Sequence, residues 1–381
     1  MLDVLVAGAG PAGAIAAREL ARAGARVLIV DRDEFPRKKL CGDTLNPGAL
    51  RLLASLSLTG GALDAALPLD GMRVTGPGAS VEARYGTGTH GAALSRQVFD
   101  AWLLEQAIAA GARFEPGLSV QAALTSNEQG TTIVRGLVLK NAKGQTVRVP
   151  APVTIGADGR RSAVARSVGL SSQPAHRRRW AYGGYFARTA AAATAETVVG
   201  EMHVRHGWYC GVAPLPDGRI NLCVVTDRRE GAADPLGLIR HYLARDPELH
   251  RRFGEAECTT PVSVLGPLAV DVTSAAMPGL MLAGDAAGFV DPMTGDGLNL
   301  AMRGATLAAA EALRVLESGD WDLAVRRLNT ERARVLGAKL TFNRALRRLT
   351  SSAGSLVAAS LAARLAPSLI RSLIVRAGDA A

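Results

Sequence analysis

"VLVAGAGPAGAIAAREL", Val4 to Leu20, is the stretch whose reading decides the fold class. Leu2 to Ala7 is apolar and β-prone, Gly8-Ala9-Gly10-Pro11-Ala12-Gly13 follows at once, and Ala14 to Ala23 holds strong helix formers. In this strand, turn and helix setting the glycine pattern predicts a dinucleotide-binding unit rather than an incidental turn. Gly8 permits the tight turn, Gly10 lets a pyrophosphate approach the backbone, and Gly13 lets helix and strand pack closely. Pro11 and Ala12 open the helix, whose N-terminus faces the anion. A second strand, Arg26 to Val30, leads into Asp31 and Arg32. Asp31 lies eighteen residues beyond Gly13, the right reach for accepting hydrogen bonds from an adenosine ribose. An ADP moiety is therefore expected, which FAD and NAD share.

Two distant segments bear on that choice. "TIGADGRRSAVAR", Thr154 to Arg166, follows a strand pattern over Val147 to Ile155; Asp158-Gly159 is a turn dipeptide and Ser162 is placed to cap the next helix. "LMLAGDAAGFVDPMTGDGLNLAM", Leu280 to Met302, has an apolar strand, then Gly284-Asp285, then Gly288, Gly295 and Gly297 before a helix from about Leu298. A second glycine-lined helix start gives the far half of a long dinucleotide an anion-friendly surface. An NAD domain has no use for it.

With these three motifs in order, the chain resembles, over nearly its whole length, the FAD-dependent oxidoreductases with the para-hydroxybenzoate hydroxylase fold. That family includes the group A flavin monooxygenases and the geranylgeranyl reductases. The resemblance implies an α/β (α+β) protein. Its parts would be a Rossmann-like FAD-binding domain of the glutathione-reductase type, an inserted antiparallel-sheet substrate domain and a C-terminal helical segment. The FAD domain is expected at residues 1–67, 91–170 and 277–317, the substrate sheet at 68–90 and 173–264, and the helices at 320–381. Gly8, Gly10 and Gly13 would then cradle the pyrophosphate, with Pro11, Ala12 and Arg32 beside them, and Asp31 would hold the ribose. Arg96, in "LSRQVFDAWLLEQA", matches the arginine that reaches the FAD phosphates. Asp158 and Gly159 match the motif beside the cofactor and the NAD(P)H approach. Gly284 and Asp285 match the ribityl-binding turn, and Pro292 and Gly295, Gly297, Leu298 and Asn299 match the loop against the isoalloxazine ring.

The branch of the family is less evenly signalled. "KKLCGDTLNPGAL", Lys38 to Leu50, is similar to the Cys-Gly-Asp segment of the geranylgeranyl reductases, whereas "GDGLN", Gly295 to Asn299, is similar to the hydroxylase pattern. In "GWYCGVAPLPDGRINLCVV", Gly207 to Val225, a hairpin turning at Pro216-Asp217-Gly218, Gly211 and Ala213 stand where reductases carry Trp and Phe. Two missing rings widen the pocket. The pocket residues favour an NAD(P)H-using monooxygenase, hydroxylating or epoxidising an apolar or aromatic metabolite. The alternative is a geranylgeranyl-reductase-like enzyme acting on isoprenoid double bonds. A dehydrogenase or a non-catalytic FAD binder ranks below both. The Trp-x-Trp-x-x-Pro segment of flavin halogenases is absent. Cys41 is placed near the ring, as proton donor, redox partner or small filler. Tyr209 and His206, on the pocket hairpin, are candidates for holding or protonating substrate.

Composition narrows the partners. The chain has 381 residues, a net charge of +10, 48% hydrophobic residues and only 4% aromatics, which suits a globular two-domain protein. Neither a nucleic-acid-binding motif nor a basic stripe with stacking aromatics is present, so no nucleic acid is expected. The cysteines at 41, 210, 223 and 258 lack metal or disulfide spacing, so no metal site is expected and free thiols in the cytoplasm are. From Gly337 onward seven basic side chains face only Asp379. An amphipathic stretch, Leu356 to Val375, suggests packing on the FAD domain or, as the second reading, peripheral membrane contact. The arginines of "HRRRWAYGGYFA", His176 to Ala187, read as a solvated sheet edge.

Overall fold

The computed structural model describes residues 2–174, 178–189, 198–227 and 233–378. Strand Val4–Ala7 is wholly buried, so it needs neighbours on both edges and cover on both faces. It pairs in parallel with Val27–Val30 on one side and Val153–Gly156 on the other. Arg113–Glu115 and Leu280–Leu282 extend this sheet in parallel, and Ala276–Met277 closes it antiparallel. The strand pattern expected over Val147 to Ile155 is divided. Thr146–Pro150 belongs to a separate antiparallel sheet and Val153–Gly156 to the parallel one. Pro152, which has no backbone N–H to give a ladder, lies in the gap between them.

Helix Pro11–Arg22 packs between the sheet and helix Gly297–Ser318. Small residues allow this. A Cβ on Gly13 would lie 1.8 Å from the Gly8 carbonyl oxygen, and one on Gly8, whose φ is +94°, would lie 2.5 Å from the Ala157 oxygen. The first and second motifs meet at Gly8, and a Cβ on Gly284 would lie 2.8 Å from that of Ala12, which brings the third motif to the same helix start.

A seven-stranded, mostly antiparallel sheet roofs the other side. Its order is Ser263–Leu265, Trp180–Phe186, Ile220–Thr226, Trp208–Pro214, Val199–Arg205, Gly71–Gly76 and Ala79–Arg84. One face packs on helices Pro235–Ala244 and Pro247–Phe253 through Tyr182, Phe186, Trp208 and Phe253. The opposite face looks towards the parallel-sheet half of the molecule, through Ala181, Met202, Val204 and Leu268.

The C-terminal helices divide between the two halves of the molecule. Trp321–Leu349 packs on Gly297–Ser318, while Ala353–Leu365 and Pro367–Ala377 pack mainly on strands Gly71–Gly76 and Ala79–Arg84, with the Gly378 carbonyl accepting from the Gly48 N–H. Gly354 sits in the first turn of Ala353–Leu365. The chain breaks just before it, where the Ser352 side chain caps the helix by accepting from the Ser355 N–H. The three-arginine run is also not a solvated edge throughout. Arg179 is buried and paired with Asp291, while His176 and Arg177 lie outside the described residues.

Candidate active site

One cavity of about 850 Å³ runs between the two sheets. Its walls include Gly8, Gly10, Pro11, Ala12, Asp31 and Arg32 at one end, and Leu356, Ile370 and Ile374 of the last two helices at the other. Arg96, Asp158, Gly159, Gly284, Asp285, Pro292, Gly295, Gly297 and Leu298 also line it. Three segments separated by more than a hundred residues each thus converge on one surface. Gly13 and Asn299 do not line it. Gly13 serves the close packing above, and Asn299 is buried with its Oδ1 accepting from Arg303 Nε at 3.0 Å.

Asp31 holds the turn itself, Oδ2 accepting from the Ala9 N–H at 2.8 Å and Oδ1 from the Asp33 N–H at 3.0 Å. Asp158 accepts through Oδ2 from the Ala163 N–H at 2.7 Å, while its buried Oδ1 has no hydrogen-bond partner among the described residues. Burial holds its pKa up. Arg160 Nε lies 3.4 Å from Asp285 Oδ2, joining the second motif to the third.

Around the glycine-rich turn lies a cationic cluster that sequence reading found only in part. Arg96 is a bidentate partner of Asp100 across one helical turn, and Arg37 shares the same fully buried carboxylate at 3.0 Å. A Cβ on Gly10 would come to 3.4 Å from Arg37 Nη2, and the buried Arg37 Nη1 has no hydrogen-bond partner among the described residues. Lys39 and Arg160 complete the cluster. An open cradle at Gly10 beside an unmet guanidinium N–H fits a bound diphosphate. The run "RKKL", just after the second strand and before Cys41, was the missed signal.

Burial, reinforced by Arg160, Arg37 and Arg96, pushes Lys39 down to about 8. A diphosphate arriving beside it would restore its proton, so binding takes up a proton where the free protein's Lys39 is neutral. FAD affinity should thus fall as pH rises above about 8, by up to about tenfold per unit for the one proton. Lys39→Met should flatten the titration over the same range; an unchanged slope in the variant removes Lys39 from the anion site.

Cys41 lines the cavity, and its loop is tied to the roof by Asp43. Asp43, almost fully buried with φ +54°, accepts from Tyr185 Oη at 2.7 Å, Asn221 Nδ2 at 2.6 Å and the Arg96 N–H at 3.1 Å. Asn221 Nδ2 also donates to the Cys41 carbonyl at 2.9 Å. Desolvation raises Asp43 to about 6 against these donors. Burial likewise pushes the Cys41 thiol up, so it is held as S–H rather than thiolate.

The hairpin candidates need correction. His206 is exposed at the turn between Val199–Arg205 and Trp208–Pro214 and does not line the cavity. The hairpin directs Gly211 and Ala213 inward and its tip outward. Tyr209 is buried behind the cavity wall and donates to Asp291 Oδ1 at 2.7 Å. Asp291 also pairs with Arg179 at 2.9 Å and caps the short turn Pro292–Thr294 by accepting from the Met293 N–H at 3.2 Å. Tyr209, Asp291 and Arg179 thus anchor the loop that carries Gly295 and Gly297. Sequence reading gave Asp291 no site role, since nothing in one chain pairs it with an arginine 112 residues away.

Comparison with known proteins places this geometry. Residues 1–339 match the family model described as an FAD binding domain. A menaquinone reductase of Mycolicibacterium smegmatis is 32% identical over 81% of this chain and 75% of its own length. A digeranylgeranylglycerophospholipid reductase of Methanosarcina acetivorans is 30% identical over 84% and 77%. Among solved structures, the flavin-dependent brominase Bmp2 superposes with a TM-score of 0.82 at 20% identity, over 99% of this chain and 93% of that one. At that identity the likeness speaks for the fold alone.

Proposed function

Because this chain belongs to the FAD-binding-domain family of FAD-dependent oxidoreductases, we propose that it reduces carbon–carbon double bonds in an isoprenoid chain of a lipid substrate. The observation that carries the reading is the apolar end of the cavity, which continues past the dinucleotide groove between Met72, Val74 and Met202 of the roof and Leu346, Leu356 and Ile374 of the terminal helices. An apolar extension of this kind suits a chain-shaped substrate. The two relatives above carry reductase names, which supports the same choice.

Bound and reduced, FAD supplies a hydride for one alkene carbon, and the other carbon takes a proton, leaving oxidised FAD and a saturated bond. The backbone of Gly8–Gly13, Arg37, Lys39 and Arg96 bind the diphosphate, and Asp31 the ribose. Asp158 and Asp285 hold the middle of the cofactor. Cys41 keeps a proton at Sγ on the cavity wall, in a loop oriented by Asp43 and Asn221. Apolar walls exclude water from the alkene. NADH or NADPH is the electron donor we propose.

Hydroxylation is the second reading, favoured by the space that Gly211 and Ala213 leave in the cavity wall. Chemically reduced protein, mixed without oxygen with a geranylgeranyl lipid and analysed by mass spectrometry, separates the two. Reduction predicts a product that has gained two hydrogens and no oxygen, formed equally well in the absence of air. A product that appears only in air and carries an added oxygen overturns it.

A further inference from the structure

The last two described helices have two apolar faces. One lines the cavity through Leu356, Ala359, Ala363, Ile370 and Ile374. The other looks outward. Val357 is 58% exposed, Leu361 52%, Leu365 77%, Leu369 60% and Leu373 40%. Val357, Leu361 and Leu365 recur every fourth residue along the first helix, and Leu369 and Leu373 do so along the second, so each helix carries an outward apolar stripe. A monomeric protein has little reason to keep such a stripe in water.

The charge around these helices is one-sided. Between Arg332 and Gly378 there is no acidic residue, while Arg364, Arg371 and Arg376 stand exposed on the pair itself. Arg371 Nε donates to the Glu82 carbonyl, which fixes this helix to the edge strand of the roof. No single described helix is long and apolar enough to cross a bilayer, and the two are bent by 109°. Apolar stripes bordered by arginines, on two helices each too short to span alone and folded back at 109°, suit the interface of an anionic membrane. Leu373 is both part of the stripe and part of the cavity wall, so the outer face and the cavity meet there.

We propose that the helix pair Ala353–Leu365 and Pro367–Ala377 docks on anionic lipid, and that Leu373 marks the mouth through which an apolar chain passes from bilayer to cavity. The docking surface stands independently of which reaction follows. Flotation of the full-length, flavin-loaded protein with vesicles tests it. Vesicles of phosphatidylglycerol and phosphatidylcholine should carry the protein, pure phosphatidylcholine should carry much less, and added salt should weaken the binding. Leu365→Glu combined with Leu369→Glu should lower the partition at least about tenfold, since two apolar side chains leave the lipid. Arg364→Gln with Arg376→Gln should remove most of the preference for the anionic vesicles. Neither pair lines the cavity, so flavin content and melting temperature should hold. Absence of binding to both vesicles, or equal flotation of the leucine variant, overturns the proposal. So does a soluble dimer, seen by sedimentation, that the leucine substitutions disperse.

Discussion

Gly13→Ala should leave a protein purified with little or no flavin. The added Cβ would sit 1.8 Å from the Gly8 carbonyl oxygen and 3.0 Å from its carbon, so backbone must move, not a side chain that can swing aside. Moving it shifts the start of helix Pro11–Arg22 away from strand Val4–Ala7, and the pyrophosphate cradle with it. Overpacking of this kind costs about 3 kcal/mol. We expect FAD affinity to fall by at least about a hundredfold, as the helix start and the turn lose their shared geometry. Flavin absorbance relative to protein, together with a melting curve, reads both effects. Gly337→Ala is the matched control, because nothing lies within 4 Å of a Cβ there and its φ is ordinary. It should be neutral or stabilise by up to about 1 kcal/mol. Normal flavin content in Gly13→Ala would show that the turn is not where the cofactor binds.

Asp291→Ala should be the other severe variant. Arg179 and Asp291 are both about 5% exposed, and removing the carboxylate leaves a buried guanidinium with, among the described residues, only Thr350 to accept from it. Loss of one member of a buried pair costs about 3–5 kcal/mol. The cap on Pro292–Thr294 goes at the same time, freeing the loop that ends in Gly295 and Gly297. Chemical denaturation measures the first effect, and a loosened flavin, seen as a rise in its fluorescence, measures the second. Tyr209→Phe separates positioning from chemistry. It keeps the ring and loses one hydrogen bond to a charged acceptor, at a cost of about 1.5–3 kcal/mol. Turnover should survive in the folded fraction; turnover abolished in a stable, flavin-loaded Tyr209→Phe would make the phenol a proton donor after all.

Much of this fold is visible in the chain because its decisive features are local. The buried strand Val4–Ala7, its glycines, Asp31 and the glycines at 284, 295 and 297 each obey short-range rules of turn, cap and packing. What escaped is non-local. Arg37 and Lys39 look like surface cations until Asp100 and the Gly10 cradle are seen beside them. The Arg179–Asp291 pair joins the residue just before strand Trp180–Phe186 to a turn 112 residues on. Asp43 needs both Tyr185 and Asn221, from neighbouring strands of the roof, before its place makes sense. His206 was misplaced by a single step of hairpin geometry, since the tip points to water while the strands face the cavity. The terminal helices were legible as helices, but not which sheet they cover, because amphipathic periodicity names a face without naming its partner.

Two small residues at 211 and 213, taken alone, argue for a broad pocket and a hydroxylase. Seen as one stretch of a long apolar cavity walled by the last two helices, in a chain whose relatives include two reductases, they fit a chain-shaped substrate as well.

The account rests on one dinucleotide being held along its whole length by three remote segments. Titration of the flavin-free protein with FAD, FMN and ADP tests this directly. With both halves of the ligand gripped at once, FAD should bind one per chain and at least about a hundredfold more tightly than either fragment. FMN or ADP binding as tightly as FAD would contradict it.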